Sequence, residues 1–212
     1  MFHYPQYRST DPARIRRLVE RFPLALITTC VDGRWQASHV PLFLSDDGQA
    51  LLGHADAANP QFSLPRALSA QVVFSGPQGY VPPQAYVSRQ LPTWNYLRVH
   101  AQGTLHVDDD PVHNLALIRL AAQRLSRGPD DFQVSADDER IARWIGGVRG
   151  LRFEIAEIEG RFKLSQDKSA EDVVAAARHL VRREDESCNA DWLLSFREAS
   201  VTAPVVPQGV TP

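Results

Sequence analysis

The sequence predicts a mainly β protein with peripheral helices, in which six strands form an antiparallel barrel. Two observations support this fold class. Six segments carry either a continuous apolar run or the alternation of a half-buried strand. Short turns join several of them, which favours antiparallel pairing over a doubly wound parallel sheet. The predicted strands are residues 24–30, 35–44, 49–54, 71–74, 93–107 and 151–158.

A helix precedes the first strand. Asp11 is its predicted N-cap, and Pro12 occupies the first helical position, where a missing N–H costs nothing. The predicted apolar face of this helix comprises Ile15, Leu18, Val19 and Phe22. The other faces carry Arg14, Arg16, Arg17 and Arg21. Acidic neighbours favour a solvated surface for these arginines, and a phosphate or nucleic-acid face remains the alternative.

Turn residues and one glycine locate further features of the predicted strands. Asp32-Gly33 is a hairpin turn signal between the first two strands. Gly103 lies inside the long fifth strand, where a glycine predicts a β-bulge. In the sixth strand, Leu151 and Phe153 share one face by alternation, so we expect both in the core.

Three further helices interrupt the strands. One follows the cap Asp110 and extends to about Leu125, a shorter one covers residues 137–145, and the last covers residues 173–182 after a capping box at residues 169–172. The inward residues predicted for the first of these helices are Leu115, Ile118, Ala122 and Leu125.

Length and terminal composition predict the domain organisation. We expect one domain over residues 1–183 and a C-terminal extension over residues 184–212. The extension is expected to be partly disordered, because residues 199–212 are rich in Val, Pro and Thr without periodicity.

Composition excludes several classes of protein. The 212 residues carry a formal net charge of −2, whereas a large non-specific nucleic-acid surface requires a positive excess. Cys30 and Cys188 lack the spacing of a metal or redox pair, so no metal is predicted. No segment has the pattern of a signal peptide or a membrane span. We therefore expect a cytoplasmic protein without a membrane partner.

Four stretches carry unusual polar or aromatic groups for a plain scaffold, although no Rossmann, P-loop or GxSxG motif is present. They are His39-Val-Pro41, residues 53–60, residues 91–96, and residues 162–166, which contain one of only two lysines. Lysine, serine, glutamine and histidine donors suit a phosphate, and aromatic side chains suit a flat ring. Together these stretches predict a ligand with an anionic end and a planar heterocycle.

These stretches resemble the motifs of the PaiB family, the FMN-binding negative transcriptional regulators. The family pattern contains a His-x-Pro strand, a Gly-His turn that ends in Asn-Pro, a Pro-Thr-Trp-Asn-Tyr strand start and a Lys-Leu-Ser-Gln finish. This chain has them in the same order, at His39–Pro41, Gly53–Pro60, Pro92–Tyr96 and Lys163–Gln166, with Gly76-Pro77, Tyr80 and Tyr86 between them. The resemblance extends from residue 1 to about residue 183.

The resemblance implies a split barrel of the flavin-reductase and pyridoxamine-phosphate-oxidase kind. It also implies a homodimer with FMN at the subunit interface. Carried over position by position, the cofactor-binding residues are His39, His54, Asn59, Trp94, Asn95, Tyr96, Lys163, Ser165 and Gln166. No catalytic residue is implied.

The chain departs from the family pattern where the phosphate of FMN is expected to bind. Ala57 replaces an arginine of the Gly-His turn, and Asp56 adds a carboxylate beside it. Since loss of a guanidinium–phosphate pair weakens anion binding, we expect FMN binding that is weakened or lost.

The resemblance leaves three functions open. The first is an FMN-binding regulator in which the flavin is a sensor or a structural ligand. The second is a flavin-dependent oxidoreductase on the same barrel, either an NAD(P)H:FMN reductase or an enzyme like pyridoxamine-phosphate oxidase. The third is a repressor that binds DNA directly, for which the arginines of the first helix are the best local candidates.

Overall fold

A computed structural model describes residues 4–63, 66–126, 128, 131, 134–135 and 138–187. The chain separates into two compact units. The barrel unit comprises Met1–Gly76 with Tyr96–Leu164, and the second unit comprises Pro77–Asn95 with Ser165–Pro212. Residues 199–212, part of the extension that is expected to be partly disordered, lie outside the described residues. The predicted domain boundary at residue 183 stays a prediction.

Within the described residues, seven strands form one mainly antiparallel sheet. Their bounds are β1 Arg8–Ser9, β2 Leu24–Val31, β3 Arg34–Leu44, β4 Ala50–Asp56, β5 Arg66–Val81, β6 Thr93–Asp108 and β7 Val148–Lys163. The strand order is β1-β7-β4-β3-β2-β5-β6, and β7 also pairs with β6. Strands β2 to β7 therefore close into a ring, which confirms the predicted six-stranded fold, although the ring is not a regular barrel.

Alternation along the strands directs one face of the sheet into a continuous apolar core. Ile27, Leu42, Phe74 and Phe153 are fully buried members of this core, one each from β2, β3, β5 and β7. Leu151 is also fully buried, so the face predicted for the last strand is confirmed.

Two local predictions about backbone geometry are confirmed. Asp32 and Gly33 have φ values of 49° and 75°, and they connect Val31 and Arg34 in a two-residue hairpin. The register between β6 and β7 shifts between Gln102 and Gly103, as expected of a bulge. A Cβ atom at Gly103 would collide with the carbonyl oxygen of Glu154, so the bulge requires glycine.

Strands β5 and β7 are longer than predicted, with 16 residues each. The additional part of β7 contains Glu159 and Arg161, whose charges hide it from an apolar pattern. Both side chains are nevertheless buried, because they bond to each other at 2.7 Å. A paired charge can thus occupy a position that alternation reserves for an apolar residue.

The helices form where they are predicted, although α4 extends beyond its predicted bounds of residues 173 and 182. They are α1 Pro12–Arg21, α2 Pro111–Leu125, α3 Glu139–Trp144 and α4 Ala170–Ser187. Asp11 caps α1 by accepting a hydrogen bond from the backbone N–H of Ala13 at 2.9 Å, and the predicted Ile15, Leu18 and Val19 are buried. No helix of the described ranges is long and apolar enough to span a membrane.

The predicted inward face of α2 is confirmed in part, because Leu115, Ile118 and Ala122 are half-buried. Asn114 and Ala121 are its buried residues, whereas Leu125 is 51% exposed. The Asn114 side-chain amide donates a hydrogen bond to the carbonyl of Val148 at 3.0 Å. This bond directs a polar side chain inward, so apolar periodicity alone could not find the whole face.

The second unit has a small core of its own. Val81, Tyr86, Ala176 and Leu180 are buried together. Asp172 of α4 is fully buried and accepts hydrogen bonds from the backbone N–H groups of residues 87 and 88, at 2.8 and 3.0 Å. The Ser169 half of the predicted capping box forms, since its hydroxyl accepts from the Asp172 N–H at 3.2 Å.

Candidate functional site

A cleft of about 640 Å³ lies on the outer face of the barrel unit, where α1 ends beside β2, β3 and β5. Residues that line it include Arg21, Leu24, Leu26, His39, Val73 and Ser75. His39 is the predicted site residue that the structure places in this cleft.

The register of the sheet explains why these side chains converge. Leu26 pairs with His39 on one side and with Val73 on the other. Directly paired residues of antiparallel strands point to the same face, so the three side chains form a row across three strands. Arg21 enters from the last turn of α1, just before Pro23 ends the helix.

The chemistry of the cleft fits a planar ligand with an anionic end. Leu26 and Val73 offer an apolar floor, while Arg21 supplies a permanent cation and Ser75 a hydroxyl donor. A volume of about 640 Å³ falls within the range of pockets that hold small ligands, roughly 300–1,000 Å³. Arg21 was not among the predicted site residues, because its sequence position marks only a helix surface.

His54 and Asn59 lie at the end of β4 and in the turn that follows. Burial lowers the pKa of the His54 imidazole below its ordinary value, which favours the neutral ring. The Asn59 amide donates to the Ser38 hydroxyl at 2.9 Å and accepts from the Gln61 N–H at 3.0 Å, so it ties the turn to β3. Gly53 precedes His54 for a packing reason, because a Cβ there would lie 2.5 Å from the Pro41 carbonyl oxygen.

The turn that departs from the family pattern is ordered by its own carboxylate. Asp56 is exposed and accepts a hydrogen bond from the Ala58 N–H at 2.8 Å. The Ala57 N–H donates to the carbonyl of Gly147 at 2.8 Å. Asp56 therefore stabilises the turn, a role independent of any ligand.

Tyr96 and Lys163 are direct partners across β6 and β7, and both are half-buried. The Lys163 ammonium lies 5.9 Å from the centre of the Tyr7 ring. The structure thus brings a predicted cation and a predicted aromatic side chain to one end of the β6–β7 pair.

The remaining predicted residues belong to the second unit. Asn95 and Ser165 are each 1% exposed, and the Asn95 amide donates to the Ser165 hydroxyl at 2.9 Å. The Tyr86 hydroxyl lies 2.9 Å from the same Ser165 oxygen. Ser165 has a φ of 61°, in the left-handed region. This buried cluster fixes the backbone turn at Ser165, a positional function that donor chemistry alone did not predict.

Trp94 and Gln166 are exposed members of the second unit. Trp94 is 50% exposed, and its ring centre lies 6.5 Å from that of Tyr80. Gln166 directly follows the buried Ser165. Both side chains remain accessible within their unit, whereas Asn95 and Ser165 do not.

Solved structures establish the fold class. The "FAD and Heme binding protein from Mycobacterium smegmatis" has a TM-score of 0.60 at 18% identity, and 80% of each chain is covered. The "Flavocytochrome Anf3 from Azotobacter vinelandii" has a TM-score of 0.61 at 16% identity, with 82% of this chain and 78% of that chain covered. The chain therefore has the split-barrel fold.

Sequence comparison establishes the family. The chain belongs to the family described as "Putative FMN-binding domain", whose model matches residues 1–157. A curated relative, the "Protease synthase and sporulation protein PAI 2" of Bacillus subtilis, is 25% identical over 201 residues, which are 92% of this chain and 96% of the relative. The resemblance to the PaiB family is thus confirmed.

Proposed function

We propose that the chain is an FMN-binding regulator of the PaiB type and that the cleft beside His39 holds the flavin. The observation that carries this proposal is the paired row of Leu26, His39 and Val73 next to Arg21. It combines an apolar floor with a cation, as a flavin with a phosphate end requires. Membership of a family described by FMN binding supports the choice of ligand.

The residues of the cleft divide by chemistry. Arg21 and Ser75 are suited to the phosphate, because a guanidinium and a hydroxyl donate to anionic oxygens. The row of Leu26, His39 and Val73 is suited to the ring, with the imidazole at its polar edge. A bound flavin supplies redox chemistry, and the protein supplies binding and orientation. Arg21 would supply a cation for the phosphate in a chain that has Ala57 where the family has an arginine.

The proposal includes a homodimer. The outer face of the sheet exposes large apolar side chains, with Leu24 55% and Trp35 76% exposed. A second copy of the chain would remove them from water and cover the open side of the cleft. Sedimentation velocity tests this: the wild type should sediment as a dimer, and Trp35→Glu should shift it toward monomer. A monomeric wild type at micromolar concentration would contradict this part of the proposal.

The proposed protein is cytoplasmic, and its flavin is a sensor or a structural ligand. Regulation would depend on binding of the flavin or of a partner. Direct contact with DNA is disfavoured by a net charge of −2, since non-specific phosphate binding needs excess cations. A gel-shift at low salt with upstream DNA should show no retardation, and retardation lost in Arg17→Gln would instead support direct repression.

Titration of FMN fluorescence tests the ligand and the site together. Quenching should saturate in the wild type, and Arg21→Gln should weaken affinity about tenfold or more, since a charge-assisted hydrogen bond contributes about 1.5–3 kcal/mol. Arg16→Gln is the matched control, because Arg16 is on the same helix, pairs with Glu20 at 3.6 Å and lies outside the cleft. Absence of quenching in the wild type would reject FMN, and equal affinities of both variants would reject the cleft.

The same samples test the oxidoreductase alternative. Steady-state oxidation of NAD(P)H with added FMN should not exceed the rate with free flavin if the flavin is a sensor or structural ligand. Turnover above that rate, lowered by Arg21→Gln, would favour the enzyme.

A further inference from the structure

A second pocket, of about 270 Å³, lies beside α1 in the barrel unit. Three arginines of α1 stand around it, and its floor is formed by apolar side chains of α1, β6 and β7. The arginines are Arg14, Arg17 and Arg21; the floor includes Leu18, Leu97 and Phe162. Arg14 and Arg17 do not line the flavin cleft, so the two sites are distinguishable.

The three arginines form one stripe of α1. Their spacing of three and then four residues places Arg14, Arg17 and Arg21 on one helix face. All three are exposed, and within the described ranges no carboxylate forms an ion pair with any of them. Arg16, on another face, does pair with Glu20 at 3.6 Å. The rim of the pocket therefore carries positive charge that the described residues leave unbalanced.

The floor belongs to the apolar core. Leu18 and Phe162 are only 6% and 4% exposed, and the half-buried Leu97 pairs with Phe162 across β6 and β7. The Arg14 guanidinium lies 4.9 Å from the centre of the Phe162 ring. A cation over an aromatic face retains N–H donors for a further partner at the rim.

We propose that this pocket binds a small amphipathic carboxylate, with an apolar chain or ring on the floor and the carboxylate among the arginines. A guanidinium pairs with a carboxylate through two parallel hydrogen bonds, and nearby cations add attraction. The volume of about 270 Å³ exceeds the roughly 150 Å³ of a protein cavity that holds benzene, so a short acyl chain or substituted ring fits.

The apolar floor distinguishes this ligand from nucleic acid. Phosphate backbones are bound by cations on accessible surfaces, and a recessed floor of leucine and phenylalanine gives a phosphate no partner. The apolar floor does offer a surface against which a hydrocarbon chain can be buried away from water. The arginines that the sequence suggests as a solvated or nucleic-acid face thus have a third function.

Isothermal titration with three probes tests the two halves of the ligand separately. Octanoate should bind saturably, whereas octan-1-ol, which lacks the charge, and acetate, which lacks the apolar chain, should each bind at least tenfold more weakly. Equal binding of octan-1-ol would overturn the role of the arginines, and equal binding of acetate would overturn the role of the floor. No binding of octanoate would overturn the proposal as a whole.

Variants on α1 locate the site. Arg17→Gln and Arg14→Gln should each weaken octanoate binding about tenfold, while Arg16→Gln should leave it unchanged. All three positions accept glutamine on a helix surface, and circular dichroism would verify the folds. FMN affinity should remain at the wild-type value in Arg17→Gln, which separates this site from the flavin cleft. The assignment would be overturned if Arg14→Gln and Arg17→Gln left octanoate binding unaffected. It would also be overturned if a DNA duplex bound through Arg17 and octanoate did not.

Discussion

The carboxylate of Glu159 joins the first strand to the last and provides a sharp test of the barrel unit. Its Oε1 accepts from two nitrogens of Arg161, at 2.7 and 3.0 Å, and its Oε2 accepts from Arg8 Nε at 2.8 Å. The side chains of Glu159 and Arg161 are 8% and 5% exposed. One buried carboxylate is therefore bonded to two guanidinium groups.

Glu159→Gln retains the size of the side chain and removes its charge. A neutral amide can accept with one atom only, so the buried guanidinium of Arg161 loses its ion pair with Glu159. Breaking a buried ion pair in this way costs about 3–5 kcal/mol, and we expect about 3 kcal/mol because Arg8 is half exposed. For a chain of this size, about 2–4 °C of Tm is lost per kcal/mol, so Tm should fall by about 6–12 °C.

Thermal unfolding followed by circular dichroism measures the effect, and Glu157→Gln is the matched control. Glu157 has the same side chain two residues earlier in β7, but it is 62% exposed and 4.0 Å from Arg8. Its substitution should change stability by less than about 0.5 kcal/mol. If Tm fell equally in the two variants, burial would not explain how much the Glu159 interactions stabilise the protein, and the reasoning would be refuted.

Two further predictions concern Asp172 and Gly103. Hydrogen bonds from the Ser88 hydroxyl and backbone lower the pKa of Asp172 to about 2 from 3.8, so its stabilisation is present above pH 3.8 and is lost as the pH falls toward 2. Asp172→Asn should therefore lower the urea midpoint at neutral pH, and its deficit should shrink near pH 2; a constant deficit would contradict the linkage. Gly103→Ala should destabilise by about 3 kcal/mol, the upper end of the usual cost of overpacking, because its Cβ would collide with the Glu154 carbonyl oxygen, a backbone atom. Gly33→Ala, with a φ of 75° and open space around it, should cost only about 1 kcal/mol, and an equal loss in both glycine variants would argue against the collision.

The features that sequence predicted well are local in origin. Asp11 caps α1 through a bond to a residue two positions away, and the Asp32-Gly33 turn depends on backbone conformations that these residues favour. The bulge at Gly103 is predictable because a glycine inside a strand often marks a bulge or a close approach of another backbone. Each of these signals lies within a few residues of the structure that it determines.

The features that sequence did not predict depend on distant partners. The side chain of Asn114 in α2 points inward, because it donates a hydrogen bond to the carbonyl of Val148, 34 residues away. The bond between Asn95 and Ser165 joins residues 70 positions apart and was not predicted. Arg21 gains its place in the cleft from the position of α1 over the sheet. No motif within one segment predicts these contacts, because each depends on a residue far away in the sequence.

The near-zero net charge conceals an uneven distribution of charge that matters for function. Glu159 is committed to two arginines inside the barrel unit, and Asp138 is bonded to Arg140 at 2.6 Å. These acidic residues thus form ion pairs with nearby arginines. Arg14 and Arg17 instead line a pocket with an apolar floor, and neither forms an ion pair within the described ranges. A balanced total is therefore compatible with a local site for an anion, and it argues only against the extended positive surface that a DNA duplex requires.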